Sequence, residues 1–220
     1  MPVMRARVLA LFWLALFSAL MGVARAQSPA ENPVVKACQE IGAKGLSKAA
    51  APATSPLTYK LGPRVYVKKY LAELFESESD RKAFEEAVTA VIDSLEEEAA
   101  KTKRNNDGAY GLAMATSVLY SLVKDEELGD DSVDALYERF KATFDTAAVK
   151  AATHAQKQEF SDWALVQSSL TLLVAAQSTT EADLAKVKSM AKAQLQNLFG
   201  VSADAWTIKG KSITLKTSGI

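Results

Sequence analysis

The chain has one cysteine, Cys38, and one histidine, His154. A single thiol forms no disulfide within the chain, and one thiol with one imidazole falls short of an ordinary His and Cys zinc site. There is no glycine-rich phosphate loop, no G-x-S-x-G turn and no H-E-x-x-H helix. An excess of charge is missing too: 26 Lys and Arg balance 26 Asp and Glu. That leaves no electrostatic case for a nucleic-acid partner or an anionic membrane. The longest apolar run, residues 8–23 (VLALFWLALFSALMGV), is shorter than the roughly 20 residues of a transmembrane helix.

What is present at the start has the form of a secretory leader. Arg5 and Arg7 precede the apolar run, and Ala24-Arg25-Ala26 follows it as an A-x-A site. The expectation is a signal peptide over 1–26, cut between Ala26 and Gln27, with the membrane met only transiently during export. No arginine pair precedes the run, so Sec-type export is expected over the twin-arginine route. Cys38 lies too far beyond the run to be a lipid-anchored residue. Cleavage leaves 194 of the 220 residues and removes three arginines, so 23 basic residues face 26 acidic ones. The expected product is a mildly acidic periplasmic or secreted protein.

Residues 27–56 are rich in Ala, Pro, Ser and Lys and read as a flexible segment with one marginal helix around Val34, Val35, Cys38 and Ile41. Residues 57–220 read as the folded domain. Leu57, Thr58 and Tyr59 are a short extended lead-in, and Pro63 opens the first firm helix. The next helix is expected to be capped by Ser79. After the Asn105-Asn106-Asp107-Gly108 turn signal comes a helix over about 107–124 with small Ala109, Ala113 and Ala115 on one face. The acidic run 125–131 then leads to a helix capped by Ser132. Neither that run nor the Asn105–Gly108 turn has the ligand spacing of an EF-hand.

The longest helical pattern is 153–177. Thr153 and Gln156 have capping-box spacing, and neither Gly nor Pro follows before Gln177. Phe160, Trp163, Gln167, Leu170 and Val174 step along one seam, and further leucines and valines widen it. This helix is therefore expected at the centre, with the 107–124 helix as its main partner. Thr180 begins the last helix and Gly200 ends it. The period then drops to two, from Trp206 to Leu215 around a Lys209-Gly210 turn, which predicts a small hairpin. The fold class is all-α, a bundle of about five main helices with a C-terminal β-hairpin.

Four pieces in order carry a resemblance to a known family: Leu57-Thr58-Tyr59 with Pro63; Asn106 and Tyr110 with the small-residue helix; Ala155-Gln156-Lys157-Gln158 with Gln167; and Phe199-Gly200-Val201 leading to Trp206-Thr207-Ile208. With them the chain resembles an uncharacterised bacterial family of exported, mostly helical proteins, a domain of unknown function. The resemblance implies export and a helical architecture and says nothing of catalysis. The acidic run near Asp130 departs from the family's pattern.

Three functional expectations follow. The first is a non-enzymatic exported domain that binds another exported protein. The second is a hydrolase-like site assembled from Asn106, Tyr110, Gln158 and Gln167. The third is a small-ligand cavity beside Trp163. No metal, cofactor or catalytic motif is expected.

Overall fold

The computed structural model describes residue 29 and residues 31–217. The expected signal peptide and its cleavage site lie outside the described residues. Among the described residues there are nine helices: α1 (Pro33–Gln39), α2 (Ile41–Lys44), α3 (Val65–Leu74), α4 (Glu78–Lys101), α5 (Gly108–Lys124), α6 (Asp130–Thr143), α7 (Ala147–Ala151), α8 (His154–Gln177) and α9 (Glu181–Phe199). A single antiparallel hairpin follows, β1 (Trp206–Lys209) with β2 (Ser212–Leu215). The class is all-α. Five helices reach fourteen residues or more: α4, α5, α6, α8 and α9.

α8 is the hub. Its N-terminus carries the full capping box: Thr153 Oγ1 accepts from the Gln156 N–H, and the Thr153 N–H donates to Gln156 Oε1 at 2.9 Å. Every residue from 160 to 171 is buried, so the helix is covered on all sides instead of showing one apolar stripe. α5 makes the largest contact with it. The close approach comes from α5's small residues. A Cβ at Gly111 would lie 2.7 Å from Ser161 Oγ, and one at Gly108 would lie 3.1 Å from a Phe160 ring carbon.

The start of α5 is fixed by Asp107, which is buried. Its carboxylate caps the helix by accepting from the Ala109 N–H at 2.9 Å. It also accepts the hydroxyl protons of Ser55 at 2.8 Å and Tyr137 at 2.9 Å. The lead-in strand pairs here: the Tyr59 N–H donates to the Asn106 carbonyl, and the Gly108 N–H to the Leu57 carbonyl.

Within the N-terminal segment the expected marginal helix appears as α1 and α2, and it is docked on this core. Val34, Val35 and Cys38 are fully buried. Asn32 caps α1 by accepting from the Val34 N–H, and its amide nitrogen donates at 2.8 Å to the Gln156 carbonyl and to Glu159. A Cβ at Gly42 would stand 2.4 Å from Val201 Cγ1 and 2.5 Å from the Phe199 carbonyl oxygen. Alternation of Ala, Pro and Ser hid this docking, because the contact is made by three short apolar side chains and a glycine.

Other boundaries differ from expectation by a residue or two, each for a local reason. Ser77, not Ser79, caps α4, accepting from the Asp80 N–H. α6 begins at Asp130 behind Gly129, not at Ser132, and places Asp130 and Asp131 in its first turn, where the helix dipole favours acids. Two acids of the run are ion-paired: Asp125 meets Lys188, and Asp131 lies 3.6 Å from Lys211. α7, capped by Thr146, was not visible in the pattern because it is five residues long. The hairpin turns on Gly210 and Lys211, with Gly210 at φ 52°. Trp206 and Ile208 are buried, while Ile213 and Leu215 pack partly against the core.

Replacing Gly42 by Ala is expected to lower stability by about 1–3 kcal/mol, since its new methyl overlaps backbone as well as a side chain. Urea unfolding of G42A against the parent chain checks this; an unchanged midpoint would separate the 27–56 segment from the core.

Candidate functional site

The five residues singled out by sequence are spread through the molecule. Asn106 stands at φ 55°, the left-handed region that Asn tolerates better than most residues. Its backbone carries its role: the N–H donates to Glu96 Oε2 at 2.8 Å and the carbonyl accepts from Tyr59. Tyr110 meets Tyr137 edge to face at 5.6 Å, with the Arg104 guanidinium 5.3 Å from one ring and 4.9 Å from the other. Arg104 is in turn paired with Asp134. Trp163 is fully buried against Phe160. Gln167 is fully buried as well, and neither of its amide atoms has a hydrogen-bond partner among the described residues.

Gln158 differs from the other four because it lines a cleft. The cleft, of ≈ 420 Å³, lies between residues 60–63, the start of α3 and the first turns of α8. Gln158 holds its near wall. Its Oε1 accepts from the Gly62 N–H at 2.7 Å, and its Nε2 donates to the Gly62 carbonyl at 2.9 Å. One amide thus satisfies both backbone groups of one residue, which fixes the loop before α3.

A charged network, not foreseen from sequence, supports the same loop from behind. Arg64 is ion-paired to Asp162 of α8 and lies 3.4 Å from Asp93 of α4. Tyr59 Oη is 3.0 Å from Glu96 Oε1 and 3.3 Å from Ser161 Oγ. Its one proton goes to the carboxylate, the stronger acceptor. The readable signal was Asp162 itself, a carboxylate two residues after Phe160 in the most apolar helix, which demands a cation from elsewhere. Which cation it would be lay beyond pattern reading, since Arg64 is 98 positions away.

Burial dominates the electrostatics here. It pushes the Asp162 carboxyl up to about 6 from 3.8, outweighing the opposite pull of Arg64, with Glu96 adding a little in the same direction. Burial likewise pushes the Tyr59 hydroxyl well above its ordinary range, and Glu96 adds to the rise. A second and larger groove, of ≈ 760 Å³ between α3 and α4, is lined by charges of both signs, among them Lys68 and Glu85 at 3.5 Å.

Asp162 sets a pH dependence of known sign. Its folded value is raised, so its contribution to stability is complete below about pH 4 and is lost as pH rises through about 6. The stability of the parent chain relative to Asp162→Asn is therefore expected to fall by roughly 2–3 kcal/mol between pH 4 and pH 7. Urea titrations of both chains at four pH values test this, and a constant difference would contradict it.

Among the described residues no helix is long and apolar enough to cross a membrane. No curated protein and no solved structure matches the chain. A family model does match, over residues 8–216, which is nearly the whole sequence. The chain therefore belongs to DUF6683, a family of unknown function.

Proposed function

We propose that the protein is an exported, periplasmic binding domain of bacterial origin that engages another exported protein without chemistry of its own. The observation that carries this reading is the rim of the Gln158 cleft. Leu61 is 59% exposed and Val65 is 67% exposed, the two most exposed large apolar side chains among the described residues. They flank Gly62 and Pro63, which line the cleft. Single exposed apolar residues are ordinary. These two are different because Gln158 and the Arg64–Asp162 pair hold the loop that presents them. A rigid loop loses little entropy on binding, which favours recognition.

The leader supports export: a basic start, an apolar run and an A-x-A site precede Gln27. The hydrolase-like alternative needs Asn106, Tyr110, Gln158 and Gln167 around one cavity. Of these, only Gln158 lines the cleft.

Two measurements test the reading. Residues 1–26 fused to a reporter that matures only outside the cytoplasm should export it, and the mature chain should begin at Gln27. The Leu61→Ser, Val65→Ser double variant should keep its helical circular dichroism and lose a partner that the parent chain retains from periplasmic extract. Retention of the same partner by both chains would move the binding surface elsewhere.

A further inference from the structure

We infer that the Lys48–Ala49 peptide bond is a processing site for a protease that cuts after a basic side chain, and that the cut leaves the N-terminal strap, α1 and α2 with their flanks, seated on the domain. The step adds one water across the bond and leaves a carboxylate on Lys48 and an amine on Ala49. It is independent of the binding reading above.

The strap is held at both ends and along its length. At its start the Asn32 amide donates to the Gln156 carbonyl and to Glu159. At its end the Ser47 N–H donates to Thr143 Oγ1 at 3.0 Å, and the Ser47 carbonyl accepts from Arg139 at 3.2 Å. Between these points Val34, Val35, Cys38 and Ile41 are buried. The chain is fixed again at Ser55, whose hydroxyl donates to Asp107 at 2.8 Å. Residues 48–54 span the gap without such a tie. Lys48, Ala49, Ala50, Ala53 and Thr54 are exposed. The Ala49 N–H donates back to Ser47 Oγ at 3.2 Å, and among the described residues no hydrogen bond joins 48–54 to the core.

A protease draws several residues on each side of the bond through its active site, so helices and paired strands must first open locally. The 48–54 stretch can be drawn out without breaking a hydrogen bond to the core, and exposed stretches of small residues are where nicking concentrates. Competing basic residues in loops are secured. Lys60 lies between Tyr59, bonded to the Asn106 carbonyl, and Gly62, held by Gln158. The Lys103 N–H donates to the Ala100 carbonyl. Lys209 pairs with Ser212 across the hairpin, and Lys211 stands in its turn, 3.6 Å from Asp131. Arg64 and Arg104 are ion-paired. Retention follows from burial. A short tether supplies an effective concentration of roughly millimolar, and the cut removes only that, while the buried side chains and the hydrogen bonds at both ends of the strap remain. Asn32 then stays on Gln156 and Glu159, which both line the Gln158 cleft, so the cut chain keeps that wall.

The test is limited digestion by trypsin of the purified chain from residue 27 onward, which contains every described residue. Mass spectrometry should place the first cut within residues 29–215 after Lys48. In Lys48→Gln the loss of intact chain should slow by about tenfold or more, since the next site requires local unfolding. Lys48 is exposed, and unchanged circular dichroism confirms that the variant folds. On gel filtration without denaturant the two pieces of the cut parent should elute as one particle, with a native mass one water above that of the uncut chain, and urea should separate them. Three results would overturn the processing site: a first cut at Lys60, Lys103, Lys209 or Lys211, an equal rate of loss for Lys48→Gln, or digestion of the whole domain with no nicked species on the way. Release of residues 27–48 from the cut chain without denaturant would overturn the seating of the strap.

Discussion

Helix α8 has no solvent face over residues 160–171, and the rest of the structure depends on covering it. Soluble helices ordinarily turn a polar face to water. Here the polar side chains of the covered stretch go inward, and those of Ser161, Asp162, Gln167, Ser168, Ser169 and Thr171 are all buried. Each must find a partner or cost about 1–3 kcal/mol. Ser168 and Thr171 turn back to carbonyls of their own helix, Leu165 and Gln167, at 3.0 Å. Asp162 cannot be satisfied locally, because a carboxylate needs a cation and the helix has none at hand. Its demand reaches across the chain to Arg64, and with Arg64 comes the loop that precedes α3.

How much of this was legible follows from which effects are local. Caps, periodicity and breakers act within a few residues, and they located α3 to α6, α8, α9 and the hairpin to within a few residues. The Thr153–Gln156 box is a clear case, since both of its hydrogen bonds close within one turn. The site was less legible because its parts are distant in sequence. Gln158 was found, yet as part of the Ala155–Gln158 motif and with its partners unknown. Those partners are the backbone of Gly62, 96 positions away, and a backbone partner leaves no signature in composition. Asn106 was found for its side chain, whereas the fold uses its left-handed backbone. Tyr110 and Trp163 are bulky aromatic residues that serve packing, as most such residues do. In the N-terminal segment a marginal helix was legible, but its docking was not, because α1 and α2 are short and their partners lie far along the chain. They hold to the core through Asn32, the fully buried Val34, Val35 and Cys38, and a glycine in backbone contact.

The loop at 60–64 inherits its rigidity from α8 through two unlike contacts. Gln158 fixes the backbone of Gly62 by a pair of neutral hydrogen bonds. Asp162 fixes Arg64 by charge. A buried ion pair is weak evidence for stability, because desolvation offsets much of the attraction and apolar residues of similar size often do as well. Its stronger use is in specifying geometry, since an ion pair tolerates one placement where aliphatic packing tolerates several. Arg64 has the directional guanidinium for that task and touches carboxylates of both α8 and α4.

That geometry bears on function through what it leaves exposed. Had Leu61 and Val65 belonged to a mobile loop, they could fold back over the cleft and bury themselves. With Tyr59 tied to Asn106 on one side and Gly62 clamped by Gln158 on the other, Leu61 is held between two anchored residues, and Val65 begins a helix directly after the ion-paired Arg64. Neither can reach the core without breaking a buried contact. Their exposure is a consequence of the same network that satisfies α8, and it costs the isolated chain burial that a partner could restore at about 25 cal/mol per Å² of apolar surface. The cleft and its apolar rim are thus coupled to the core: the carboxylate that α8 buries holds the loop that keeps the rim exposed.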